Sequence, residues 1–87
     1  MARLVHLGLR NYVPAERILE CQRADQAWVQ RLVRAAKRGA PEVPILDLTS
    51  GRRTRSVVFL SSGHLVLSAL SPETIRNRLR GVGRGAR

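Results

Sequence analysis

The segment "TSGRRTRSVV", Thr49 to Val58, sets Arg52, Arg53 and Arg55 between a turn signal and an apolar run. A guanidinium is permanently charged and carries five N–H donors in a rigid fork that matches phosphate oxygens. Ser50 and Gly51 permit a tight turn ahead of the arginines. The strand expected from Ser56 onward anchors the loop to the core. Arginines held on such a loop lose less entropy on gripping an anion than arginines on a free tail. Strand alternation would put Arg53 and Arg55 on one side and Arg52 on the other, a parity that a turn before the strand would break.

No other set of residues has the spacing for chemistry. His6, His64 and Cys21 are not arranged as metal ligands. The six acidic residues are scattered among basic ones, with no paired carboxylates. "GVGRG", from Gly81, follows a helix instead of opening one, so it lacks the context of a phosphate-binding loop. The sequence therefore predicts no enzyme, no catalytic residue, no metal, no cofactor and no small-molecule substrate. Cys21 reads as a small buried hydrophobe.

Composition points the same way. The chain has 87 residues, 16 basic and 6 acidic, for a formal charge of +10. Fifteen of the basic residues are arginine. Codon usage can favour Arg over Lys, but it does not explain so few Asp and Glu. Such a balance suits phosphate polyanions. No apolar run approaches the ~20 residues of a membrane span, and the N-terminus lacks the pattern of a signal peptide. A soluble, cytoplasmic protein is expected. One cysteine allows no disulfide within the chain, so oligomerisation is the expected supplement to a thin core.

The elements that must hold the arginines follow from periodicity. "RLVHLGL" reads as a strand with Val5, Leu7 and Leu9 on its apolar face. "RNYVPAE" breaks the pattern at Pro14, and Arg17–Gln22 reads as a second strand. Asp25 to Arg38 reads as the main helix, with Asp25 as N-cap and Gly39 as left-handed C-cap. Trp28, Val29, Leu32, Val33 and Ala36 form its apolar stripe, so Trp28 reads as core. The basic residues of the last turns suit the helix dipole and are not counted as a binding face. "ILDL" is a short strand. "SVVFL" and "HLVLSAL", joined by "SSG", are an antiparallel hairpin. Ser71 caps a short C-terminal helix with Pro72 in its first turn and Ile75 and Leu79 inward. The class is α+β: a small antiparallel sheet, one main helix and one short helix. A single domain spans 1–80, followed by a flexible Gly/Arg-rich tail at 81–87.

The chain also resembles the RemA family, the extracellular-matrix regulatory proteins of bacteria. "HLGLRNYVPAERIL" is similar to the family's opening, "AAKRG" to the end of its helix, and "DLTSGRRTRSVVFLSSGHLVLSALSPETIRNRL" to its most distinctive block. The resemblance runs from about Leu4 to Leu79 and implies half of a LytTR-type DNA-binding domain. It further implies a closed homo-oligomeric ring, of roughly seven or eight subunits, that bends double-stranded DNA along a basic rim. By the same resemblance the DNA-contacting residues are Arg17, Arg52 and Arg53, with Arg55 in the same block as a contact or a brace. Regulation of biofilm-matrix or related genes, on the nucleoid, is the implied role. Three departures stand out: a longer connection between Gly39 and Asp47, Arg10 where the pattern has glycine, and Ser50 where it has an aromatic residue.

Three functions are compatible with the residues. The first is a DNA-binding regulator acting as a ring. The second is an RNA-binding protein with the same surface. The third is an interaction module whose arginines meet acidic protein surfaces. Aromatic residues are limited to Tyr12, Trp28 and Phe59, which disfavours recognition of single strands by stacking.

Overall fold

The computed structural model describes residues 3–39 and 42–81. Its elements are β1 (Leu4–Gly8), β2 (Asn11–Pro14), a 3-10 turn (Ala15–Arg17), β3 (Ile18–Arg23), α1 (Ala27–Lys37), β4 (Ile45–Leu48), β5 (Ser56–Leu60), β6 (Leu65–Ser68) and α2 (Pro72–Arg80). β1 and β2 form a separate hairpin, and the other strands form a four-stranded sheet in the order β3-β5-β6-β4. The α+β class holds. The sheet is mixed, however: β3–β5 and β5–β6 are antiparallel, but β4 runs parallel to β6. The connection between β5 and β6 is the expected hairpin turn.

The uninterrupted apolar runs of β5 and β6 have a simple cause: the sheet is covered on both faces. Val57, Leu65 and Leu67 pack with Val29 and Ala36 of α1 on one face. Val58 and Val66 pack with Val5 and Leu7 of β1, Cys21, Leu48 and Ile75 of α2 on the other. Successive residues of a strand point to opposite faces, so each strand feeds both clusters. Two serines at the shared end of β5 and β6 are fully buried and fully used. Ser56 Oγ donates to the Leu70 carbonyl at 2.6 Å. Ser68 Oγ donates to the Leu7 carbonyl at 2.8 Å and accepts from the Leu70 N–H at 3.1 Å. Ser68 thus ties the β1–β2 hairpin to the main sheet.

Several local expectations are corrected. Asn11–Pro14 is a strand, because a two-residue turn at Leu9 and Arg10 folds it back on β1. Pro14 is tolerated there as the last residue of an edge strand. Leu9 leaves the apolar face and is exposed in that turn. Both turn residues have positive φ, 49° and 61°, a geometry that favours the glycine expected from the resemblance at the position of Arg10. Asp25 does not cap α1; the N-cap is Gln26, without a side-chain bond. Trp28 is not core but 44% exposed, lying over the half-buried Phe59 with ring centroids 6.2 Å apart. Gly39 does take the left-handed conformation, with φ 80°. α2 matches its reading at the start, where Ser71 accepts from the Thr74 N–H and Pro72 opens the helix; Gly81, read only as the start of the tail, closes it at φ 73°. The tail beyond Gly81 lies outside the described residues.

Candidate nucleic-acid interface

The arginine segment is neither a hairpin turn nor part of a strand. β4 and β5 flank β6, so the chain from Thr49 to Arg55 must cross the end of β6, about 10 Å across two strand spacings. Its backbone is fixed at both ends. At the first, Asp47 Oδ1 accepts from the Thr49 N–H at 2.9 Å and from Thr49 Oγ at 2.6 Å. The Arg52 N–H donates to the Thr49 carbonyl at 3.0 Å, closing a turn. The two central residues of that turn, Ser50 and Gly51, have φ 54° and 80°. Glycine meets this geometry without a Cβ penalty, whereas Ser50 bears the cost of about 1–2 kcal/mol that a Cβ brings in the left-handed region. At the second end, the Arg55 N–H donates to the Ser68 carbonyl at 2.9 Å, and its carbonyl accepts from the Ala24 N–H at 3.1 Å. Arg55 thus extends the β3–β5–β6 ladder by one residue, although β5 proper begins at Ser56.

All three side chains of this bridge are exposed, and so is Arg17. None of the four guanidiniums has a protein partner among the described residues. Other arginines are committed to the fold. Arg76 donates to the Cys21 carbonyl at 2.8 Å, and Arg78 to the His6 carbonyl at 3.0 Å. Arg3 donates to the Arg78 carbonyl at 2.6 Å and also to the Leu79 carbonyl, satisfying the open C-terminal end of α2. A good part of the basic charge of α2 is therefore structural, and the charge of the bridge is not.

The predicted contact residues are not all together. Arg53 and Arg55 line one cleft and Arg52 does not, but strand parity is not the cause, because the strand begins only at Ser56 and Arg53 borders the cleft on the other side as well. Arg17 sits at the opposite end of the sheet. Its carbonyl accepts from Ser61 in the β5–β6 turn, and Ile18 pairs with Leu60, while Arg23 pairs with Ser56 beside the bridge. The length of β3 separates the two ends, about 17 Å at roughly 3.3–3.4 Å per residue.

The bridge also gathers residues that the sequence reading did not assign. On one side is a cleft of about 270 Å³ lined by Arg23, Asp25, Arg53, Thr54, Arg55 and Pro72. On the other is a cleft of about 320 Å³ where Arg53 and Thr54 meet Gln30, Arg34 and Lys37 of α1. The three-residue step from Arg34 to Lys37 places them on one helix face, a signal that was legible but ascribed to the helix dipole. Lys37 also acts on Asp47, whose carboxyl is held below its ordinary value. The Thr49 hydroxyl is the main cause, followed by the Thr49 N–H; slight burial opposes them, and the charge of Lys37 adds to them.

Neither histidine nor the cysteine forms a reactive set. His64 is exposed, with Nδ1 2.8 Å from Ser62 Oγ, and His6 faces Arg78. Burial pushes the Cys21 thiol up, against the charge of Arg76 and a hydrogen bond with Ser56, which disfavours the thiolate. Among the described residues no group of three or more His, Cys, Asp or Glu is placed to hold a metal, and no helix is long and apolar enough to cross a membrane.

The model of the RemA-like family, extracellular matrix regulatory protein A-like, matches residues 4–79, the whole of the described fold up to the last turn of α2. The chain belongs to the RemA-like family. Relatives cover most of both chains. A protein named "Putative regulatory protein" from Geobacillus kaustophilus is 37% identical over 81 residues, 93% of this chain and 90% of its own. One of the same description from Dictyoglomus thermophilum is 43% identical over 79 residues, 91% and 89% of the two chains. One from Dehalococcoides mccartyi is 37% identical over 82 residues, 94% and 81%. The RemA-like match includes both ends of the β3–β5 ladder, Arg17 and the arginine bridge alike.

Proposed function

We propose that this RemA-like protein is a DNA-binding transcriptional regulator that assembles into a closed homo-oligomeric ring and grips the duplex backbone through Arg17, Arg52, Arg53 and Arg55. The observation that carries the reading is the bridge itself: three exposed guanidiniums without protein partners on a backbone fixed at both ends. Such groups meet phosphate oxygens with little further ordering. Relatives described as regulatory proteins support the regulatory half of the reading.

Two features support assembly. Leu4 and Tyr12 on the β1–β2 hairpin and Leu19 on β3 are exposed apolar side chains that a subunit interface would cover. The separation of Arg17 from the bridge also favours it. A heterologous interface joins different surfaces of adjacent subunits, the arrangement that can bring opposite ends of neighbours onto one DNA. Repetition of a weak patch around a ring raises affinity through effective concentration. A curved basic rim selects DNA by its readiness to bend more than by base edges. The cellular setting that goes with this reading is the nucleoid, with matrix or related genes as targets.

The test is fluorescence anisotropy on short and long duplexes at several salt concentrations, with the subunit number read by native mass spectrometry. Log affinity should fall linearly with log salt, by about 0.9 per phosphate neutralised. The slope should steepen with duplex length as more subunits engage. Arg52→Ala with Arg53→Ala should abolish binding while leaving the circular dichroism unchanged. A shallow slope that ignores duplex length would eliminate the ring mechanism, and undiminished binding by the double variant would eliminate the site.

A further inference from the structure

The reading above leaves out the residues that share a wall with the bridge. β3 ends at Arg23, whose register partner is Ser56, so its side chain starts one residue from Arg55 across the ladder. With Arg53, Thr54, Arg55 and Pro72 it encloses the cleft of about 270 Å³. This space has room for several waters, and so for one tetrahedral anion with part of its hydration shell. Three guanidiniums from two separate segments line it, and the one carboxylate in its wall is Asp25. That carboxylate accepts from Arg23 Nε at 3.1 Å, the single ion pair among the described residues, with both side chains about two-thirds exposed. The terminal nitrogens of Arg23 have no partner in the described fold. Pro72, at the start of the nine-residue α2, brings the positive end of the helix to the same wall, partly offset by Glu73 in its first turn.

We infer that Arg23 is a further phosphate-contacting residue, that it closes with Arg53 and Arg55 on a single phosphate of the DNA backbone, and that Asp25 restrains it. This inference rests on the DNA-binding reading. An exposed ion pair is weak because water screens it, so a phosphate that offers a bidentate contact to the free end of the guanidinium displaces Asp25 or binds beside it. The restraint has a direction. In the free protein Asp25 lowers the charge of the cleft and holds Arg23 against β3. Removing that carboxylate should strengthen binding, whereas loss of a merely structural ion pair should weaken it or leave it unchanged.

The experiment uses full-length protein on one long duplex, with anisotropy from 50 to 200 mM salt, for the unaltered chain and for Arg23→Ala, Arg23→Lys and Asp25→Asn. Arg23→Ala should weaken binding several-fold and flatten the log–log slope by less than the roughly 0.9 of a whole phosphate for each engaged subunit, since Arg53 and Arg55 still meet the shared phosphate. Arg23→Lys should keep the slope, since it keeps the charge, and lose part of the affinity with the fork geometry. Asp25→Asn should bind several-fold more tightly. An unchanged slope and affinity in Arg23→Ala, or weaker binding by Asp25→Asn with intact circular dichroism, overturns this inference alone. If the unaltered protein fails to bind duplex DNA, the parent reading falls and takes this inference with it.

Discussion

Replacing Asp47 tests whether the bridge must be held in place or need only be positively charged. Asp47→Ala does two opposing things. It removes a negative charge near Lys37, on the same face as the bridge, which by itself should strengthen DNA binding. It also removes the acceptor for the Thr49 N–H and hydroxyl, which releases the turn that aims Arg52 and Arg53. Asp47 is exposed, so its charge is screened within a Debye length of about 8 Å at physiological salt. An Asp that satisfies a backbone N–H two residues on resembles a helix cap, whose removal costs about 1 kcal/mol. That is a ceiling of roughly fivefold in apparent affinity for each engaged subunit. Asp47→Asn separates the two effects, because its amide oxygen can still accept from Thr49 while its charge is gone. The expected order of affinity in anisotropy titrations is Asp47→Asn at or above the unaltered protein, and Asp47→Ala below Asp47→Asn by up to about fivefold for each engaged subunit. Acidity supplies a second readout. Asp47 braces as a carboxylate, and its folded pKa lies below its ordinary value. Its contribution is therefore complete above that ordinary value and is lost as pH falls through the lower folded one. Between pH 5 and 8 it should give no pH dependence. Asp47→Ala binding as tightly as Asp47→Asn would refute the claim that the turn positions the arginines.

Three further outcomes test the scaffold. Ser68→Ala leaves the buried Leu7 carbonyl and the part-buried Leu70 N–H without that partner, so chemical denaturation should show a loss of about 2–4 kcal/mol, more than for Ser56→Ala, which releases the part-buried Leu70 carbonyl and the weak contact with the Cys21 thiol. Leu9→Asn with Arg10→Gly gives the β1–β2 turn the residues that its two positive φ angles favour, and should stabilise the chain by about 1 kcal/mol, seen as a rise of about 5 °C in Tm. Cys21→Ala should cost on the order of 1 kcal/mol or less and leave DNA binding unchanged; loss of binding would expose a functional thiol.

The features legible in the sequence are those whose causes are local. Ser71 and Pro72 open α2 because capping chemistry acts over three or four residues. Val29, Leu32, Val33 and Ala36 mark the buried face of α1 because the helical period is intrinsic. The apolar runs of β5 and β6, the turn at Ser50 and Gly51, and the exposed Arg52, Arg53 and Arg55 were readable for the same reason, and the family blocks read from the sequence cover the matched residues. The rest depended on contacts between distant segments. Trp28 fits the apolar stripe of α1 but lies at its rim, stacked on the half-buried Phe59 and still 44% exposed. Asp25 has the composition of a cap, yet it turns to Arg23, which chain reversal after β3 leaves beside it. The parallel pairing of β4 with β6 makes Thr49–Arg55 a bridge over a strand end instead of a hairpin turn. The β3–β5 register sets Arg23 beside that bridge and Arg17 a strand length away, although the chain separation of these two arginines is only six positions. An extended strand carries neighbouring residues far apart, while pairing brings distant ones together, and pairing is decided by the whole core.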